Sequence, residues 1–196
     1  YTYSIDGVEH LHLAELPAID GRKAMMDELV FELTESDIVI WVLKANQPAR
    51  ALDVNLYSRL EQYYHGKDSL QKKQPILVGV LSHVDLLGPE SQWDPPYDLA
   101  DANVEKVCTI NDALQYNHQL LPFVTTIPVS LAADKLNYNL AEVMTCLEQN
   151  YQAAVQVQLN RRGREARQRD WNVAEQGKRL SRTGKALFGK IVRGQL

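Results

Sequence analysis

Apolar and polar positions change period from segment to segment along this chain, and the changes lay out its elements. Tyr1 to Ile5 and Val8 to Leu13 flank Asp6-Gly7, the preferred pair for a two-residue type I′ turn, and Leu11 and Leu13 alternate with His10 and His12. A β-hairpin is expected there. From Lys23 to Leu33 the period becomes helical, with Met26, Leu29, Val30 and Leu33 on one side, and Ser36-Asp37 closes the segment. Ile38 to Leu43 is then a continuous apolar, β-branched run, the mark of a parallel strand covered on both faces, with Ala45-Asn46-Gln47-Pro48 as its polar exit. Asp53 is placed to cap a following helix whose Leu56, Leu60 and Tyr63 form one stripe and which Gly66 would stop.

A second apolar run, Pro75 to Leu81, breaks into Ser82-His83-Val84-Asp85, so a buried strand ends in a hydroxyl, a ring and a carboxylate. Ligands of open α/β sheets gather just beyond the carboxyl ends of the strands. Asp85 therefore has two readings: a ligand carboxylate accepting two parallel N–H donors, as guanine N1 and N2 offer, or a residue that merely caps or turns the chain. Residues 86–102 make a long connection containing Gly88-Pro89, Trp93, Pro95-Pro96 and Tyr97; such a loop is functional or self-packed, and here Trp93 and Tyr97 are expected to pin it to the surface. A helix should run from about Asn103 to Leu120 with Val104, Val107, Ile110, Ala113 and Leu114 inward. Phe123 to Val129 is the next strand, leading into Ser130-Leu131-Ala132. A last helix beginning near Asn139 carries Leu140, Val143, Met144, Leu147 and Tyr151. Strands alternate with helices, so the expected class is α/β: a mostly parallel sheet with the hairpin as one antiparallel edge, helices on both faces and a C-terminal helical tail.

Composition bounds this picture without changing it. A chain of 196 residues that is 45% hydrophobic fills one ordinary domain with an appendage. Residues 1–160 are assigned to the domain and 161–196 to the tail. No run approaches the roughly 20 apolar residues of a spanning helix. Cys108 and Cys146 stand far apart among helical apolar positions, which suits free buried thiols in a reducing compartment, and the chain reads as cytoplasmic. His10 and His12 share a strand face, but no third ligand lies near them to make a metal site. Charge is uneven: residues 161–196 hold eleven Lys or Arg against three acids, a net +8, and since the whole chain stands at −4 the other 160 residues carry −12.

Taken in order, the hairpin, Glu15-Leu16-Pro17-Ala18, the strand ending in Ser82-His83-Val84-Asp85 and the strand entering Ser130-Leu131-Ala132 resemble the Era-like branch of the TRAFAC GTPases. They are closest to bacterial HSR1-related, ribosome-binding-type G-domain proteins, over roughly residues 1–150. The three segments stand where that family has Asp-x-Pro-Gly, Asn/Thr-Lys-x-Asp and Ser-Ala-x, and Asp37 to Asp53 is similar to the group as well. The resemblance implies a P-loop NTPase-like G-domain portion that binds GTP/GDP with Mg2+ as a switch. By it, Asp85 would take the guanine N1 and N2 protons, a pair that adenine cannot offer. His83 would lie flat against the base where the family has Lys, Ser82 would tie the loop to its neighbours, and the Ser130-Leu131 backbone would donate to guanine O6. Glu15 would hold a water on Mg2+, and the Ala18 N–H, after Pro17, would face the γ-phosphate. Ile19 stands where a water-orienting Gln is found in Ras-like proteins.

The family's phosphate cradle is missing from this sequence, which has no G-x-x-x-x-G-K-[S/T]. The resemblance therefore implies a base-recognition portion whose P-loop lies upstream. Such a portion is expected to bind GTP weakly or not at all, with hydrolysis a property of the parent. Two other readings stand beside it: a non-hydrolysing G-like interaction module, which would tolerate Glu15, Ala18 and His83, and an unrelated flavodoxin-like or Rossmann domain. In the tail, Leu180, Leu187, Phe188, Ile191 and Val192 fall largely on one side among Lys178, Arg179, Arg182, Lys185, Lys190 and Arg193. A basic amphipathic helix of this kind suits an anionic membrane surface, RNA such as that of the ribosome, or docking on its own acidic domain.

Overall fold

A computed structural model describes residues 2–5, 8–66, 72–132 and 137–192, with side chains placed for 12–66, 72–132 and 137–169. Strands β1 (Thr2–Ile5) and β2 (Val8–His12) form the expected antiparallel hairpin, Ile5 opposite Val8 and Thr2 opposite His12. The Asp6-Gly7 turn lies outside the described residues. An extended segment follows, anchored to the core by Leu16 and Ile19. At its end Gly21 takes a φ of 79°, and the Asp20 carboxylate accepts the Arg22 backbone N–H at 2.9 Å. Then come α1 (Lys23–Glu35), β3 (Ile38–Lys44), α2 (Ala51–His65), β4 (Ile76–Ser82), α3 (Glu105–Leu120), β5 (Thr125–Pro128) and α4 (Leu140–Val192).

β3, β4 and β5 form one parallel sheet in that order, Ile38 to Lys44 facing Ile76 to Ser82 in unbroken register and Val78 to Leu81 facing Thr125 to Pro128. Alternation along these strands feeds two cores. Val39, Trp41, Leu43, Leu77 and Leu81 point to the face covered by Met26, Leu29 and Leu33 of α1, Leu56, Leu60 and Tyr64 of α2, and Ile110 of α3. Val78, Val80, Ile127 and Val129 point the other way, against Val143 and Cys146 of α4. Helices thus cover both faces, as expected of an α/β sheet. Gly79 lies where the Phe123 ring crosses the sheet: a Cβ there would stand 2.6 Å from Phe123 Cδ2 and 2.9 Å from Thr126 Oγ1. Only a residue without a side chain fits beneath that ring.

Several expectations need correction. Among the described residues the hairpin is a separate two-stranded sheet and not an edge of the parallel one. A hairpin closes on its own local pairs, and alternation within its strands does not say which other strand it will join. In α2 Asp53 is not the cap; the helix begins at Ala51, and the Asp53 carboxylate instead accepts the Trp41 Nε1–H at 2.8 Å. Tyr64, not Tyr63, is buried there. The inward stripe of α4 is Val143, Cys146, Ala154 and Val157, whereas Leu140, Met144 and Tyr151 are exposed. These stripes lie about 100° apart round the helix, both are apolar, and periodicity alone does not choose between them. α4 runs on through residues 160 and 161 into the tail.

The path of α4 explains an exposed strand. It starts next to Tyr138, which pairs with Ser130 beyond the carboxyl end of β5, and by Arg161 it has reached Asp37, just before β3, where Arg161 Nη2 lies 3.0 Å from Asp37 Oδ1. That diagonal leaves one face of the carboxyl half of β3 open, while Trp41 and Leu43 on the other face stay buried. Val42, inside a run that reads as buried on both faces, is 61% exposed.

Candidate functional site

The carboxyl end of β4 is stitched to both neighbouring strands. Ala45 N–H donates to the Ser82 carbonyl at 2.8 Å, and Val129 N–H to the Leu81 carbonyl at 2.8 Å. The chain then leaves the sheet through His83, held in the left-handed region at φ 60° and ψ 35°, into a 3-10 turn over Val84–Leu86. A β-substituted residue resists that conformation, and the polar contacts around it hold it there. Ser82 Oγ donates to the Leu43 carbonyl at 3.1 Å, and His83 Nδ1 lies 2.9 Å from the same Oγ. The His83 ring itself is exposed. Ser82 does tie this loop to β3.

Turning back at His83 carries Asp85 under the end of β5. Asp85 is 2% exposed, and its Oδ1 accepts the hydroxyl proton of the fully buried Ser130 at 2.7 Å. Two sequence segments 45 residues apart thus meet at one hydrogen bond. Ser130 is itself fixed by a two-way backbone bridge to Tyr138: its N–H reaches the Tyr138 carbonyl at 3.3 Å, and its carbonyl receives the Tyr138 N–H at 2.9 Å. The Ser130 N–H is therefore engaged, and of the expected Ser130-Leu131 donor pair only Leu131, which is exposed, stands outside the bridge.

Sequence reasoning missed the residue that supports this turn from below. Lys106 of α3 is fully buried, and its ammonium donates to the backbone carbonyls of Asp85, at 2.9 Å, and Leu87. It also lies 5.5 Å from the centre of the Trp93 ring, within range of a cation–π contact. Buried lysines are rare because desolvating the charge is unfavourable unless strong acceptors replace water. The signal was in the pattern: Lys106, Ile110, Ala113 and Asn117 share the spacing of one helix stripe, so two polar residues sit in apolar positions. Asn117 is buried as well and accepts from Arg50 Nε at 2.6 Å, while Arg50 also donates to the carbonyls of Gln47, Ala49 and Lys44. Burial pulls the Arg50 guanidinium below its ordinary value, with Asp53 opposing. These bonds lock the exit from β3 against α3.

The long loop is self-packed, as expected from its aromatics. Trp93, Tyr97 and Tyr138 pack in tilted and edge-on pairs with ring centroids 5.5 to 5.8 Å apart, and the Tyr97 hydroxyl donates to the Gln92 carbonyl at 2.6 Å. Burial raises the Tyr138 hydroxyl above its ordinary value, and burial likewise pushes the Cys146 thiol up, which makes it a poor nucleophile.

Glu15, Pro17 and Ala18 are all exposed on the extended segment between β2 and α1. Among the described residues no group of three or more His, Cys, Asp or Glu could hold a metal ion. Mg2+ takes one or two carboxylates with several waters and the phosphates of its nucleotide. Glu15 by itself does not fit the requirement for a built site. Two open clefts of about 490 and 500 Å3 lie between α1 and α2 and between β5 and α4, and neither is lined by Ser82, His83, Asp85, Ser130 or Leu131. No helix among the described residues is long and apolar enough to cross a membrane. In comparisons with known proteins, no family model, no curated protein and no solved structure matches the chain.

Proposed function

We propose that residues 1–160 are the base-recognition part of a guanine-nucleotide-binding G domain, with a P-loop NTPase-like architecture completed in the parent protein by a phosphate-binding segment. The parent would then act as a GTP/GDP switch. The observation that carries this reading is the bond between Asp85 and Ser130: a carboxylate from the loop after β4 and a hydroxyl from the loop after β5 meet beyond the carboxyl ends of adjacent parallel strands, where α/β sheets take their ligands. Asp85 would read guanine N1 and N2, His83 would lie on the base and Leu131 N–H would meet O6. The open face at the carboxyl half of β3 supports the same reading, because a further strand and helix are what that edge and the exposed Val42 lack.

The burial of Asp85 favours a second reading, a non-hydrolysing interaction module of G-like fold in which the Asp85–Ser130 bond is structural. Asp85→Asn in the complete protein separates the two. Under the first reading GDP affinity falls and xanthosine diphosphate, which accepts where guanosine diphosphate donates, becomes the better ligand. Unchanged nucleotide behaviour in calorimetry would leave the module. The tail is proposed to dock on the domain at its first turn, where Arg161 meets Asp37. An anionic membrane and RNA remain as alternative partners for the basic positions beyond 169, whose side chains lie outside the described residues.

A further inference from the structure

The contacts described above close into a ring. Asp85 is bonded through its carboxylate to Ser130; Ser130 is bridged through its backbone to Tyr138; the Tyr138 ring packs edge-on against Trp93, with centroids 5.8 Å apart. Trp93 lies over the Lys106 ammonium, and that ammonium returns to the backbone carbonyls of Asp85 and Leu87. Loop 86–102 is one arc of this ring, and Lys106 is a side chain that joins the arc to the turn bearing Asp85. The Trp93 indole N–H is buried without a hydrogen-bond partner, so what Trp93 contributes here is its ring face.

We propose that Lys106 is a positioning residue for Asp85, and that Trp93 clamps it, so that loop 86–102 sets how faithfully the chain discriminates between bases. The proposal rests on the guanine reading given above. Its physical basis is the short span of the turn. Only three residues, Val84–Leu86, separate His83 from Leu87, and two carbonyls of that stretch converge on one ammonium. Charge-assisted bonds of this kind hold an orientation more tightly than neutral ones. With the ammonium removed, both carbonyls lose a buried donor, the turn relaxes toward water, and the carboxylate no longer meets two parallel donors in one fixed plane.

Amide hydrogen exchange on this chain and nucleotide titration of the complete protein test the idea together. Lys106→Met should raise exchange across residues 83–88 by roughly tenfold or more, with α1 and α2 unchanged. Trp93→Leu should act in the same direction more weakly, and Trp93→Phe, which keeps a ring face, should restore protection; this pair serves where Lys106→Met does not fold. In the complete protein, Lys106→Met should lower the preference for guanosine over inosine diphosphate, which lacks the 2-amino donor, by a similar factor. Unchanged exchange at 83–88 in both Lys106→Met and Trp93→Leu would overturn the clamp. Raised exchange with an intact guanosine-to-inosine ratio would overturn the positioning role and leave Lys106 as a fold residue. If Asp85→Asn also left that ratio unmoved, the base reading itself would fail, a result distinct from either.

Discussion

The two sides of the sheet end differently. Where β4 and β5 leave the sheet, the chain supplies its own partners: Ser130 for the Asp85 carboxylate, Lys106 for the carbonyls of the turn, Tyr138 for the Ser130 backbone and a cluster of three aromatic rings packed edge to face. On the outer edge of β3 it supplies less: Arg50 holds the Lys44 carbonyl, but among the described residues no strand pairs with that edge, and Val42 stands in the open. The contrast separates two kinds of apolar sequence. A run such as Ile76 to Leu81 is buried because its neighbours on both sides are present, while Ile38 to Leu43 has a similar composition with a neighbouring strand on one side only among the described residues.

The most disruptive way to break the self-contained side is at its centre. Gly79→Val drives a side chain into Phe123 and Thr126 and should lower unfolding free energy by about 3 kcal/mol or more, read by chemical denaturation. Ser130→Ala is gentler. It removes the hydroxyl donor from a buried carboxylate and should lower stability by about 2 kcal/mol while the midpoint shifts with no change in slope.

Tyr64, on the buried side of α2, distinguishes the covered face by pH. Its hydroxyl is pushed up to about 12, chiefly by burial and then by Tyr63, against an ordinary value of 10.0. A raised folded-state value means that the native protein keeps this proton after the unfolded chain has lost it. The contribution is therefore complete below pH 10 and declines as pH rises from 10 toward 12. It amounts to roughly 2 kcal/mol at most, and Tyr64→Phe should flatten that part of an alkaline stability profile.

The smallest expected effect sharpens the comparison most. Val42→Lys should alter the stability of this chain by less than about 0.5 kcal/mol, as for any exposed site. The same change in the complete protein should lower stability by about 2 kcal/mol or more if an added segment covers β3 there. Equal effects in the two would show that the position stays open.

Much of the framework was legible in the residues. The run Ile38 to Leu43 and the run Pro75 to Leu81 locate β3 and β4 to within a residue at each end, and the polar breaks at Ser82 and Ser130 locate the loops that meet. The meeting itself was legible only through the order of motifs, since nothing local to Asp85 says that a residue 45 positions away will donate to it. Lys106, Asn117 and Arg50 were missed because a charged or amide side chain reads as solvent-facing unless its partners are known, and those partners are the Asp85 and Leu87 carbonyls for Lys106 and, 67 positions apart, Arg50 and Asn117 for each other. Of the apolar residues expected along α4 Val143 is docked, and the rest of the docked stripe was missed for a different reason. Leu140, Met144 and Tyr151 are as apolar as Val143, Cys146 and Ala154, and what chooses between them is the diagonal path fixed by Arg161 and Asp37 at one end and the Tyr138 bridge at the other.

The uncovered edge of β3 also determines how the molecule behaves in quantity. A row of backbone donors and acceptors beside a bare valine is a template on which another chain can lay a strand. Expressed by itself this polypeptide should be drawn into inclusion bodies through that edge, and a strand-forming peptide or fusion supplied in trans is the reagent expected to keep it dispersed.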